Sequence, residues 1–413
     1  VLHGSASKSG STVAAVMLRA WLTGDPIGGS FNSHMSGENR SGLCVLGIVS
    51  RLWDLSRMGT AESTKDDGVM AQLQLGLDTF GDVTSDLHGT PLAPDHVIRN
   101  VIEEAVLADS LGLSFFGIGE HHRADFAVSA PEVVLAAIAS RTSQIRLGSA
   151  VTVLSSDDPI RVFQRFSTLD AVSQGRAEVI LGRGSFTESF PLFGFDLADY
   201  EQLFEEKLDL FTKLIEGGPV TWSGSIRPPL EDQLVFPPTA SGKLTTWIGV
   251  GGSPQSVVRA AHYGLPLMLA IIGGDPLRFR PYVDLYENAL GQFDRAMLPI
   301  GQHSPGHIAE TDDEAKDRIF PHYAAMHANI GRSRGWPPLT REAFEAEASA
   351  EGALFVGSPE TVAQKIARSA KGLGLSRFDL KFSMGSVPHE WSMESIRLYG
   401  SVVMPRVHEL LAA

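Results

Sequence analysis

The sequence predicts an α/β protein whose main body is a (β/α)8 TIM barrel. Three observations carry this expectation. The strand-like runs are almost continuously apolar, as parallel strands buried on both faces must be. From Gln72 onward they alternate with stretches of helical periodicity. Eight such units can be counted, which suits a closed barrel better than an open sheet, although a doubly wound sheet with a second domain accommodates the same alternation.

Taken in order, QLQLGLDTF (72–80) reads as the first strand, and VIRNVIEEAVLADSLG (97–112) as a helix with Val97, Val101, Ala105 and Ala108 on one face. FFGIGE (115–120) is the second strand, PEVVLAAIASR (131–141) a helix, IRLGSAVTVL (145–154) the third strand and IRVFQRFSTLDAVS (160–173) the next helix. AEVILG (177–182) is the fourth strand. In the helix EQLFEEKLDLFTKLI (201–215), Leu203, Phe204, Leu208, Phe211, Leu214 and Ile215 recur at three and four, with Asp209 four residues before Lys213 on the polar side. TTWIGV (245–250) and LPLMLAI (265–271) come next, a seventh strand lies within PIGQHSPGHIA (299–309), and RFDLKFSMG (377–385) is the eighth. Two stretches exceed ordinary loop length. Residues 217–243 are expected to form a proline-rich hairpin excursion, and residues 322–360 a lid or an interface piece.

Residues 1–69 read as a separate, poorly structured leader, and residues 70–413 as a single barrel domain. The leader holds 10 Gly, 11 Ser, six basic and six acidic residues with no sustained period, and GGSFNSHMSGE resembles a cloning scar. Its apolar patch TVAAVMLRAWL lacks the basic start and the cleavage site of a secretory signal, so a cytoplasmic location is expected. The only cysteine, Cys44, lies there, leaving the body without thiol or disulfide chemistry. Because the leader's charges cancel, the net charge of -14 belongs to the body and disfavours nucleic acid or an anionic membrane as partner. No run of 18 apolar residues spans a bilayer.

In a parallel barrel, chemistry concentrates where strands pass into helices. After TTWIGV comes GGSPQS: Gly251 and Gly252 allow close approach to the backbone, Ser253 suits the N-cap and Pro254 the first helical position. The free N–H groups there suit an anion such as phosphate, or the stretch is a plain capped turn. After AEVILG, Arg183 needs either a carboxylate or a bound anion. After FFGIG, Glu120, His121 and His122 offer a base or metal ligands. Adjacent histidines at a strand end project to opposite sides, which favours one pocket histidine and one structural one over a shared metal. Gly148, Ser149 and Ala150 are small enough to leave room for something flat, or for close strand–helix packing. Lys381 reads as a pocket-lining or ion-paired lysine ahead of a Schiff-base lysine. The body contains no G-x-S-x-G, no phosphate-binding G-x-x-x-x-G-K-[ST] and no H-E-x-x-H.

As an ordered set, GIGEHH, GSAVTVLSSDDPIRVFQRFSTLDAVSQGRAEVILGRGSF, GGSPQSVVRAAHYGLPLMLA and SMGSVPHE resemble the luciferase-like flavin monooxygenase superfamily over about residues 70–413. The resemblance implies a barrel that binds reduced FMN or, in some branches, the deazaflavin F420. Residue by residue, it implies that Arg183, Ser253 and Ser256 contact the flavin phosphate, with the backbone of Gly184, Ser185 and Gly252 assisting. His121 matches the active-site histidine, and Ala150–Val151 the non-prolyl cis peptide beneath the isoalloxazine. Gly182 stands where luciferase has a reactive cysteine, and Gly252 where it has a glutamate, so light emission is not implied. The resemblance further implies a monooxygenase or oxidoreductase that uses O₂ on a small-molecule substrate, with a flavin reductase and a homodimer as expected partners. An F420-dependent dehydrogenase and a non-catalytic flavin-binding protein are the alternatives.

Overall fold

The computed structural model describes residues 72–413; the leader expected over residues 1–69 lies outside the described residues. The chain runs β1 (Gln74–Thr79), α1 (Pro94–Ser110), β2 (Phe115–Ile118), α2 (Pro131–Ala139), β3 (Arg146–Val153), α3 (Pro159–Val172), β4 (Ala177–Gly182), the short α4 (Ser189–Phe193) and α5 (Tyr200–Glu216). A hairpin, β5 (Val220–Trp222) and β6 (Leu230–Gln233), precedes β7 (Thr245–Val250), α6 (Pro254–Tyr263), β8 (Leu267–Ala270) and α7 (Arg280–Gln292). Then follow β9 (Ile300–Ile308), α8 (Asp312–Arg334), α9 (Arg341–Ala348), β10 (Phe355–Gly357), α10 (Pro359–Leu373), β11 (Arg377–Lys381), α11 (His389–Leu398) and α12 (Met404–Ala412).

Eight strands close into a parallel barrel in the order β1, β2, β3, β4, β7, β8, β9, β11, with β11 returning to β1. Every residue of β2, β4, β9 and β11 is buried, which is why the apolar runs show no alternation. Between barrel and helices lies one continuous core that includes Leu77, Phe116, Leu147, Val179, Ile248 and Leu269 facing Val101, Leu135, Phe166, Phe211 and Val257. The expected Asp209–Lys213 support within α5 is replaced by a longer-range contact: Trp222 Nε1 donates to Asp209 at 2.9 Å, tying the β5–β6 hairpin to that helix.

The excursion expected at residues 217–243 contains the hairpin. The stretch at 322–360 is not a loop. Its first part continues α8, its middle is α9, and its end is β10, a short strand absent from the sequence reading. β10 pairs with Gly306–Ile308 after β9 has left β11 at Pro305, a residue with no N–H to give a further ladder bond. β9 itself carries Gln302, His303, Ser304 and His307, too polar to read as a buried strand, yet all nine of its residues are buried.

Inside the barrel, Arg377 is fully buried. Its Nη1 donates to Glu178 at 2.6 Å and its Nε to Asp379 at 2.9 Å, while the guanidinium lies 3.9 Å from the Phe115 ring centroid and 4.5 Å from that of Trp247. Glu178 also accepts from Trp247 Nε1 at 3.2 Å and pairs with Arg146. The buried cation is held between two carboxylates and two π faces, with Arg377 Nη2 and Asp379 Oδ1 left without hydrogen-bond partners. Replacing Arg377 by Met leaves Asp379 buried without its cation, Glu178 keeping Arg146 and Trp247, and is expected to cost about 3–5 kcal/mol of stability. Urea denaturation measures this; a loss under about 1 kcal/mol would show that the barrel does not lean on the cluster.

Candidate active site

The loops after β2, β3, β4 and β7 meet at one end of the barrel, and each expected site residue can be followed there. The His121 ring is caged by aromatic side chains, with ring centroids 4.6 Å from Phe80, 4.3 Å from Phe126 and 5.0 Å from Phe186. Its Nε2 is buried without a hydrogen-bond partner. Burial, helped by repulsion from Lys381, His122 and Arg123, lowers its pKa to about 3, so the imidazole is neutral across the physiological range. His122 turns the other way: its Nε2 lies 2.9 Å from Glu120 Oε1, and Glu120 Oε2 accepts the Val153 N–H at 3.0 Å. Glu120 is thereby spent on positioning β3 rather than left free as a base.

Phe186, which the sequence did not single out, closes the cage. Arg123 lies 5.1 Å and Arg334 4.9 Å from its ring centroid, and Arg334 Nη2 donates to the Ser185 carbonyl at 2.9 Å. Arg123 is held in turn by Asp125 at 2.9 Å and Glu188 at 2.6 Å. The end of α8, within the stretch expected to form a lid, thus reaches the loop of Gly184 and Ser185. Three aromatic walls fit an apolar ligand face.

The Ala150–Val151 peptide is cis. Around it the strands come close: a Cβ on Gly117 would lie 2.9 Å from Ala150 Cβ, and one on Gly182 would lie 2.6 Å from Val151 Cγ2. A cysteine at position 182 would therefore collide with Val151, which gives a physical reason for the glycine there. Gly148 is used for packing rather than for open space, since a Cβ there would lie 2.8 Å from the Glu178 carbonyl oxygen.

At the start of α6, Ser253 caps the helix by accepting the Ser256 N–H at 3.4 Å, Pro254 takes the first turn, and Gly252 adopts φ +125°, a conformation that penalises any side chain. Tyr282 donates to the Gly252 carbonyl at 2.9 Å and steadies the turn. Ser256 is buried. Arg183 pairs with Glu201, its guanidinium 5.4 Å from the Tyr200 ring centroid, and Tyr200 donates to the Gly184 carbonyl at 2.8 Å. Of the two partners open to Arg183 on sequence grounds, the structure has the carboxylate. Arg259, one turn past Ser256 on α6, approaches the same carboxylate at 3.7 Å, and its Nη1 is buried without a partner. Glu201 is 63% exposed. Arg259 Nε is bonded to a second carboxylate, Glu205, so two arginines meet two surface carboxylates, and Arg259 belongs to the helix whose start Ser253 caps; such donors suit an anion with several oxygens.

Lys381 is ion-paired, as the sequence suggested: Asp82 lies at 3.1 Å and the Ser383 carbonyl also accepts from it. Tyr282 and Arg334 come from remote parts of the chain, while Phe186 and Arg259 lie within the quoted stretches but carry no local pattern that marks them for a site. Asp78, Glu178, Arg377 and Asp379 carry a faint signal, a charge among the apolar residues of each strand. No group of His, Cys, Asp and Glu suited to a metal ion occurs among the described residues, and no described helix is long and apolar enough to cross a membrane.

This fold and mouth define a class. The family model for luciferase-like monooxygenases matches residues 75–377, and the chain belongs to that family. Among characterised relatives, the 4-hydroxyprotoasukamycin monooxygenase of Streptomyces nodosus subsp. asukaensis is 27% identical over 288 residues, covering 66% of this chain and 76% of the relative. The monooxygenase RslO1 from Streptomyces bottropensis shares the fold with a TM-score of 0.70 at 22% identity, over 81% of this chain and 99% of that one. The oxygenating constituent of 3,6-diketocamphane monooxygenase from Pseudomonas putida, solved in complex with FMN, gives 0.66 at 17% identity over 81% and 99%.

The cage makes a direct prediction. In histidine NMR the His121 ring should not titrate between about pH 5 and 8, and Phe186→Ala should move its pKa toward the ordinary value of about 6.5. A His121 midpoint near pH 6 in the intact protein would contradict the cage.

Proposed function

We propose that the protein is a flavin-dependent monooxygenase that uses reduced FMN and O₂ on a small organic substrate. The observation that carries this reading is the pair Arg183 and Arg259, the latter on α6: both approach the exposed Glu201, Arg259 is also bonded to Glu205, and its Nη1 has no partner. Those residues fit a phosphate monoester: it would displace Glu201 from Arg183, use the Arg259 nitrogens that Glu205 leaves free, and take N–H groups of the helix start together with the Ser253 and Ser256 hydroxyls. Family membership and the FMN held by the Pseudomonas putida neighbour support the same choice. F420 carries a phosphate too, so the anion site by itself suits either cofactor.

When bound, reduced flavin supplies the two electrons that activate O₂. The chain's own residues do the rest. Ala150 and Val151 would support the flat ring system, and Phe80, Phe126 and Phe186 would exclude water from it. His121, being neutral, would act as a hydrogen-bonding group rather than as a charge. Phe186, gripped by Arg123 and Arg334, would have to swing aside on entry, which makes the 183–188 loop and the end of α8 the moving parts. A reductase that delivers reduced flavin, and a second copy of the chain covering the exposed Val133 and Val172 on neighbouring helices, complete the reading.

An absorbance titration against FMN and F420, followed by oxygen-electrode measurement with the reduced cofactor, tests it. Saturable FMN binding with FMN-dependent oxygen uptake is expected. Binding of F420 alone, with no oxygen uptake, would replace the monooxygenase by a dehydrogenase.

A further inference from the structure

Beneath the mouth lies a histidine–carboxylate pair that the reading so far does not use. His303 Nδ1 is 2.7 Å from Asp78 Oδ2, and the His303 ring is stacked on Phe80 with an interplanar angle of 12° and centroids 5.9 Å apart. Phe80 is the ring whose edge meets His121, so the two histidines flank one aromatic wall. Asp78 reaches the same space: a Cβ on Gly117 would lie 3.1 Å from Asp78 Cβ and 2.9 Å from Ala150 Cβ. The pair therefore adjoins the peptide assigned to support the flavin ring.

In the charged layer below it, Arg377 holds both Glu178 and Asp379, leaving Arg377 Nη2 and Asp379 Oδ1 buried without hydrogen-bond partners. The histidine pair differs in that one of its ring nitrogens reaches solvent. His303 has committed only Nδ1. Its Nε2 makes no hydrogen bond, yet it is not among the buried unpartnered atoms, and the residue keeps 9% exposure, so this nitrogen meets solvent at the barrel mouth. Asp78 Oδ1 is buried and unpartnered. A carboxylate that holds Nδ1–H fixes the ring orientation, stabilises the imidazolium and leaves Nε2 to exchange a proton.

We propose that His303, oriented by Asp78, is the proton donor to the oxygen chemistry at this mouth. The proposal rests on the flavin monooxygenase reading for its reaction. Inserting one atom of O₂ into a substrate C–H and releasing the other as water consumes two electrons, from reduced flavin, and two protons. Without organic substrate, O₂ takes the same two electrons and two protons to give hydrogen peroxide. His303 Nε2–H gives one of those protons and is recharged from the solvent it touches. The groups facing it are Asp78 on β1 and Asp379 on β11, the latter raised by burial to a pKa of about 7, with Arg377, Lys381 and His121 around them; Arg377 and Lys381 are held by carboxylates and His121 is neutral. A donor must be protonated, so activity falls as pH rises through its pKa.

The test uses the full chain, reduced FMN and O₂ without organic substrate. Diethyl pyrocarbonate labelling, located by peptide mass, should modify His303, and bound FMN should slow that modification about tenfold or more. Peroxide formation should decline with pH through one ionisation. His303→Gln should abolish that limb and lower the rate by about a hundredfold while leaving FMN affinity within about twofold. Asp78→Asn, the second variant, should move the limb to lower pH, because the imidazolium loses its carboxylate. An unchanged pH profile in a folded His303→Gln that binds FMN overturns the dyad alone, as does labelling of His303 indifferent to FMN. Failure of the intact protein to bind FMN overturns the functional reading, and the proposal with it.

Discussion

The guanidinium of Arg377 is the constraint around which the barrel is organised. It belongs to β11, is bonded to Glu178 on β4 and Asp379 on its own strand, and is sandwiched by Phe115 from β2 and Trp247 from β7. Arg146 on β3 joins through Glu178. Five of the eight barrel strands thus register on one buried charge. Such a cluster adds little net stability compared with an apolar plug of the same volume, but it tolerates few alternative arrangements. Burial pushes the Asp379 carboxyl upward against the opposing pull of Arg377.

Everything above that layer is shaped by it. The aromatic cage suppresses protonation of His121. His303, one ring away, instead has a carboxylate on Nδ1 and solvent at Nε2. Around the rim, charge is arranged differently: Arg183 pairs with the exposed Glu201, which Arg259 also approaches while bonded to Glu205.

The fold was largely legible because buried parallel strands leave an apolar signature that polar loops interrupt. AEVILG and TTWIGV match β4 and β7 end for end. The seventh strand was placed only within a range, since its buried polar residues disguise it, and β10 was missed because a three-residue strand has no periodicity to read. The stretch at 322–360 reads as a loop because its polar composition, and Pro321 just before it, obscure a 23-residue helix that begins at Asp312. At the site, the Ser253 cap, Pro254 and the split between His121 and His122 followed from local rules. Arg259, Phe186 and the Asp78–His303 pair did not, because each depends on which strand ends meet, and closure of the barrel decides that.

The central claim is that this mouth holds a flavin by its phosphate. Comparing the affinities of FMN and riboflavin, which differ only in that group, tests it most directly, with Arg183→Ala as the control. The account predicts that the intact protein favours FMN by about ten- to a hundredfold, the worth of one or two charge-assisted hydrogen bonds, and that Arg183→Ala removes most of the preference. Equal affinities for FMN and riboflavin in the intact protein would contradict it.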